Sequence, residues 1–156
     1  MNQVPTLLFA IDDPHAPDIH GLLMLLDHFL ASQYPPDSQR EPTSGLGVDA
    51  KPITVVSARV DGEAVACGAC VRHHDYVELR HMYVLPACRG LGLGRQLLDA
   101  MEQQVRAMGI GWVRLETGIA ETEAIELYEH AGYHRCAPFG EYRSNPLSIY
   151  MEKSLA

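Results

Sequence analysis

Apolar and polar positions change rhythm along this chain in a way that lays out alternating strands and helices. Thr6 to Ile11 is a short apolar run, ended by Asp12-Asp13-Pro14, and reads as a first strand. From Asp18 to Ser32 the apolar residues recur at helical spacing, with Leu22, Leu25, Leu26 and Phe29 placed to face a core. Tyr34-Pro35-Pro36 stops that helix, and residues 35 to 52, rich in Pro, Ser, Gly and charge, read as a loop whose length points to a functional role or to disorder. Ile53–Val60 and Glu63–Arg72 are two strands on either side of Asp61-Gly62, the dipeptide a tight hairpin prefers. His73-His74-Asp75 turns the chain into a further strand, Tyr76 to Val84, so three consecutive antiparallel strands are expected.

The second half repeats the alternation. Gln96 to Met108 is an amphipathic helix, Gly109 and Gly111 mark its exit, and Trp112 to Thr117 is a strand. Glu121 to Ala131 is a helix closed by Gly132. Tyr133–Pro138 and Leu147–Lys153 supply a last pair of strands, joined by residues 139 to 146. The expected fold class is α/β: a mixed, mostly antiparallel central sheet of about six to seven strands flanked by helices. With 156 residues, no repeat and no low-complexity stretch, residues 1–156 are expected to form one domain.

Arg89-Gly90-Leu91-Gly92-Leu93-Gly94-Arg95 carries the first chemical signal. It lies between a strand and a helix N-terminus, where glycines admit a ligand close to the backbone and the free helix amides attract an anion. A pyrophosphate is the expected guest. The dinucleotide pattern G-x-G-x-x-G fails in both registers, because Arg95 and Leu97 stand where its third glycine belongs. A Walker loop needs Gly-Lys-Ser/Thr, and no lysine lies between Lys51 and Lys153.

Composition narrows the partners. Hydrophobic residues make up 47% and charged residues 21%, ordinary for a globular protein. No apolar run approaches the ~20 residues of a membrane span, and the N-terminus shows no basic region ahead of an apolar core, so a cytoplasmic protein is expected. The net charge of −8, with ten Arg and two Lys but no basic stripe, argues against nucleic acid and anionic membrane as partners and modestly favours a cationic substrate. Cys67-x-x-Cys70 lies in a strand-like run with no second Cys/His pair at zinc spacing, so it reads as buried structural thiols and no metal is expected.

Arg89-x-x-Gly92-x-Gly94 resembles the acetyl-CoA signature of the GNAT superfamily of N-acetyltransferases, and the order of elements is similar to that fold over nearly the whole chain. Tyr83-Val84-Leu85-Pro86 looks like the family's fourth strand entering its CoA loop. Ala124-x-x-Leu127-Tyr128-x-x-x-Gly132-Tyr133 resembles the helix and strand that follow its fifth strand. Pro138-Phe139-Gly140-Glu141-Tyr142, with Pro146-Leu147-Ser148 and Glu152-Lys153, is similar to a bacterial subgroup. Glu121 departs from the pattern, since many members carry an asparagine there that contacts the cofactor or caps the helix.

What the resemblance implies is acetyl transfer from acetyl-CoA, as cosubstrate, to a primary amine of a small or amino-acid-like molecule, by direct attack on the thioester. Acetylation of a protein or peptide, and a non-catalytic acyl-CoA sensor, are the alternatives. The pantetheine arm is expected beside the fourth strand at Met82, Tyr83 and Val84, and the pyrophosphate at Arg89, Gly90, Leu91, Gly92, Leu93, Gly94 and Arg95. Glu78 stands in the register of the base of histone-acetylating members, and His81, which titrates in a suitable range, is the second candidate. Tyr128 resembles the tyrosine that protonates the departing CoA sulfur. A homodimer is expected by analogy alone.

Overall fold

The computed structural model describes residues 6–34 and 52–156. Its elements are β1 (Leu7–Asp12), α1 (Pro17–Gln33), β2 (Ile53–Val60), β3 (Glu63–Arg72), β4 (Val77–Val84), α2 (Leu93–Ala107), β5 (Trp112–Gly118), α3 (Thr122–His130), β6 (His134–Arg135) and β7 (Ser148–Ser154). The strands form a seven-stranded sheet in the order β1-β2-β3-β4-β5-β7-β6. Every neighbouring pair is antiparallel except β4 and β5, which run parallel. The mixed, mostly antiparallel class expected from the sequence is the one observed. The expected loop at 35 to 52 lies, but for Pro52, outside the described residues.

The hairpin between β2 and β3 turns at Asp61 and Gly62, whose φ values of 50° and 85° are both positive, as a two-residue turn matching the strand twist requires. Apolar residues on the two faces of the sheet make two cores. On one face Leu97, Leu98, Met101 and Val105 of α2 pack with Val77, Leu79, Val113, Leu115 and Met151. On the other, Ile19, Leu22, Leu23 and Leu26 of α1 pack with Val55, Cys67, Ala69 and Tyr83. The buried stripe of α1 is therefore rotated from the expected one: Ile19 and Leu23 are inside and Leu25 is 46% exposed. Period alone does not settle which side of a helix this rich in leucine faces the sheet.

Cys67 and Cys70 belong to opposite cores, because a separation of three along a strand places two side chains on opposite faces. Burial pushes both thiols up to about 12. Of the last two strands, β7 is shifted by one residue from the expected span and β6 is shorter than expected, chiefly at its end. β6 covers only His134–Arg135, although the amide of Cys136 still donates to the carbonyl of Tyr150 at 2.9 Å before Pro138, which has no amide to offer, ends the ladder.

Candidate active site

The site begins where the sheet opens. β4 and β5 pair only at Val77–Leu79 with Val113–Leu115, and the two strands then run on to Val84 and Gly118 without pairing with each other. The cause is local to β4. Cys67 and Ala69 of β3 face Tyr83 and Arg80, so β4 carries one residue more than its partner, and His81 adopts a φ of 59°. A bulge of this kind bends the strand and shifts its side-chain parity. Val77 and Leu79 enter the α2 core before it, and Met82 and Val84 pack against that same core after it. Simple alternation would have put Met82 on the face of Glu78; the bulge at His81 moves it to the other.

A 3₁₀ turn at Pro86–Cys88 carries the chain from β4 into the glycine segment. Here the structure shifts a boundary: α2 starts at Leu93, three residues before the expected Gln96, so the last part of the motif is the first turn of the helix. Gly92, at φ 77°, is the N-cap and offers no side-chain acceptor. The first helical bond runs from the Gln96 amide to the Gly92 carbonyl at 3.2 Å, so the amides of Leu93, Gly94 and Arg95 find no acceptor within the helix. They open onto a cavity of about 510 Å3 walled by Gly90, Gly92, Leu93, Gly94, Arg89, Arg95, Met82, Tyr83 and Val84, with Leu127 and Tyr128 of α3 opposite. All the expected cofactor residues meet there except Leu91, whose side chain is 77% exposed and outside the cavity wall. Arg89 Nε donates to the Val84 carbonyl at 2.9 Å, and its guanidinium lies over the rings of Tyr83 and Phe29 at 5.3 and 5.8 Å. Arg95 pairs with Asp99 at 3.1 Å along the helix.

A second cavity, about 620 Å3, lies on the other side of the opening and is far more polar, with Glu78, Arg80, His81, Glu116 and Tyr142 in its walls. Glu78 is only 4% exposed. Its Oε1 is 3.2 Å from His73 Nε2, its Oε2 accepts the Tyr142 hydroxyl at 2.5 Å, and Arg80 Nε is 3.6 Å away. His73 stacks on Tyr76 at 4.4 Å, and Tyr142 packs edge-on to Phe139, so aromatic rings hold both partners of the carboxylate in place. Burial, then the adjacent Glu78 charge, raises the Tyr142 hydroxyl above the usual phenol range and keeps it a donor. Burial, with Arg80 adding repulsion, pushes His81 down to about 4, so its imidazole is neutral near pH 7.

Leu26, Met82, Glu121, Ala124 and Tyr128 line both cavities, which therefore lie against one another. Tyr128 is buried there, and its hydroxyl donates to the Met82 sulfur at 3.4 Å. Burial first, then the charges of Glu121 and Glu116, raises its pKa, so the group stays protonated. The sequence had not singled out His73, Tyr142 or Tyr34, and had noted Glu121 only as a departure. Tyr142 belonged to a recognisable run, but nothing local links it to a carboxylate 64 residues away. Among the described residues no group of three His, Cys, Asp or Glu is arranged to hold a metal, and no helix is long and apolar enough to cross a membrane.

A half-open parallel strand pair, a glycine-capped helix N-terminus and a cavity walled by both are the marks of an acyl-CoA-dependent transferase, and the comparisons agree. The chain belongs to the acetyltransferase (GNAT) family, whose model matches residues 19–133. It is an acetyltransferase of a family that uses acetyl-CoA as cosubstrate. It is 36% identical over 155 residues to the IAA acetyltransferase of Azospirillum brasilense, a match spanning 97% of this chain and 100% of that protein. The N-acetyltransferase YsnE of Bacillus subtilis is 30% identical over 154 residues, covering 93% of this chain and 97% of its own. Among solved structures, a Klebsiella pneumoniae protein provisionally assigned as an acyl-CoA N-acyltransferase superposes with a TM-score of 0.83 at 31% identity, over 96% of this chain and 98% of that one.

Proposed function

We propose that this protein transfers the acetyl group of acetyl-CoA to the primary amine of a small molecule, by direct attack of the amine nitrogen on the thioester carbon. The observation that carries the reading is the pair of adjoining cavities, one with free helix amides in its wall, the other polar and acidic, and the buried Tyr128 hydroxyl in the wall they share. The amides of Leu93, Gly94 and Arg95 suit a pyrophosphate, with the positive end of the α2 dipole behind them. The unpaired edge of β4 at Met82 to Val84 suits the amide-bearing pantetheine arm, which hydrogen-bonds as a strand would; Arg89 would have to release the Val84 carbonyl to admit it.

Tyr128 is the proposed acid. Its hydroxyl already donates to a sulfur, the Met82 thioether at 3.4 Å, and its raised pKa keeps the proton available until a thiolate forms beside it. Glu78 is the proposed base, working within the His73 and Tyr142 hydrogen bonds that fix its orientation; His81, neutral and in the same cavity wall, is the competing candidate. Residues 140–145 fold over the acceptor cavity, and a volume of about 620 Å3 suits a small molecule. One relative is named for a small molecule, IAA. The four free cysteines, two of them deeply buried, suit a reducing compartment such as the cytoplasm.

The test is release of free CoA thiol from acetyl-CoA across a library of small primary amines, with peptide N-termini as the comparison arm. Turnover of small amines, with peptides inert, supports the reading. Turnover of peptides alone overturns it.

A further inference from the structure

We infer that Glu121 is the anchor for the acceptor's ammonium group, and so the residue that makes this enzyme select cations where its two cavities meet. The inference rests on the amine-acetylating function proposed above. Glu121 occupies the N-cap position of α3, yet its carboxylate makes no capping bond to the helix. It turns back instead: one oxygen, Oε2, accepts the Gly118 amide at 2.8 Å and the Tyr34 hydroxyl at 2.7 Å. The end of β5, the end of α1 and the start of α3 thus meet on a single carboxylate oxygen.

The packing that holds it is close. A Cβ on Gly118 would stand 1.5 Å from the Tyr34 hydroxyl and 2.4 Å from Glu121 Oε2, so only glycine leaves room for the arrangement. Both donors are neutral. Among the described residues no Lys, Arg or His pairs with Glu121, and its other oxygen, Oε1, accepts no hydrogen bond. Glu78, by contrast, is met by His73, Tyr142 and Arg80. A carboxylate in the wall of a cavity gains most from a cation that enters it. Glu121 stands in the walls of both the cofactor cavity and the acceptor cavity, beside Met82 and Tyr128, so it can hold the incoming ammonium until the base proposed above takes its proton and frees the nitrogen to attack. An asparagine here could form the same hydrogen bonds but would carry no charge.

Glu121→Gln tests this, because the glutamine carbonyl can still accept from Gly118 and Tyr34 while the charge is removed. Steady-state kinetics on a panel of alkyl and arylalkyl amines should show KM for the amine rising by about tenfold or more, with kcat within about threefold. The melting temperature and acetyl-CoA affinity should stay close to wild type. With CoA bound, calorimetry should show wild type preferring phenethylamine to phenylacetate, of the same ring and chain length, and Glu121→Gln losing that preference. A purely structural role would lower the melting temperature and kcat together and leave the preference intact. Wild-type KM and preference in Glu121→Gln overturn this assignment alone. A wild-type enzyme that neither binds nor acetylates any amine of the panel overturns it together with the proposed function.

Discussion

Gly94→Ala should make the free protein more stable and the enzyme worse at holding its cosubstrate. Gly94 lies in the first turn of α2, and a Cβ added there meets only Leu127 Cδ2, at 3.5 Å, an ordinary contact. Nothing in the ligand-free fold therefore resists alanine, and replacing a helical glycine by alanine stabilises by roughly 0.5–1 kcal/mol. For a chain of this size that is a rise of about 1–4 °C in Tm. In the cofactor cavity, however, Gly94 is part of the wall that a pyrophosphate must approach. A methyl group there holds the phosphate oxygens off the amides of Leu93, Gly94 and Arg95, and loss of one charge-assisted bond, about 1.5–3 kcal/mol, weakens acetyl-CoA by roughly tenfold or more. Gly92→Ala is the counterpart: at φ 77° with open space around its Cβ, it should cost about 1–2 kcal/mol through backbone strain alone. Thermal unfolding and calorimetric titration with acetyl-CoA read the two effects separately. Gly94→Ala with wild-type acetyl-CoA affinity would refute the placement of the pyrophosphate; a Gly94→Ala protein that unfolds earlier would refute the claim that this glycine serves the ligand and not the fold.

Tyr128→Phe should keep acetyl-CoA affinity and lower kcat, because the hydroxyl acts only as the thiolate departs; wild-type kcat would assign the residue to packing. Since burial raises the Tyr128 pKa above its ordinary value of 10, the wild-type kcat profile should show no alkaline loss from this group below about pH 10. Glu78→Gln should reduce kcat/KM by about 10²-fold or more at neutral pH, and a loss below about tenfold would dismiss it as the base. Burial holds folded His81 at about 4, below its usual 6.5, so the stability it contributes is present above pH 6.5 and lost as pH falls towards 4, by up to about 3 kcal/mol. His81→Asn, which tolerates the positive φ, should flatten that acid loss in pH-dependent denaturant melts, while abolition of kcat by the same change would make His81 the base.

What could be read in the sequence was what lies close together along it. The Asp61-Gly62 hairpin, the glycine loop before an amphipathic helix, and the Gly132 stop each depend on a few consecutive residues, and all are present, the helix starting three residues earlier than expected. The family resemblance, carried by the glycine loop and the segments around and after it, extended the reading to a fold with that order of elements. Contacts between distant segments were not readable. Tyr142 reaches Glu78 across 64 residues and Tyr34 reaches Glu121 across 87, and neither hydroxyl announces its partner in its own neighbourhood. The α1 face was mistaken for a related reason: Leu22, Leu23, Leu25 and Leu26 offer two overlapping stripes, and only the sheet decides between them. The position of the bulge was not legible, since His81 has no glycine or proline beside it to mark a positive φ.

The three residue pairs that join β4 to β5 make this sheet two half-sheets on a short hinge, β1–β4 on one side and β5, β7 and β6 on the other. A ligand lying along the open edge of β4 would act as a temporary strand, completing rungs that the polypeptide leaves out. Amide hydrogen exchange should then be uneven in the free protein, fast along the open edge of β4 and slow where β3 and β4 pair on its other side. Acetyl-CoA should slow exchange at the open edge and at the first turn of α2 together, and raise the force needed to pull the halves apart. Binding and the mechanical integrity of the sheet would then be one property of this chain.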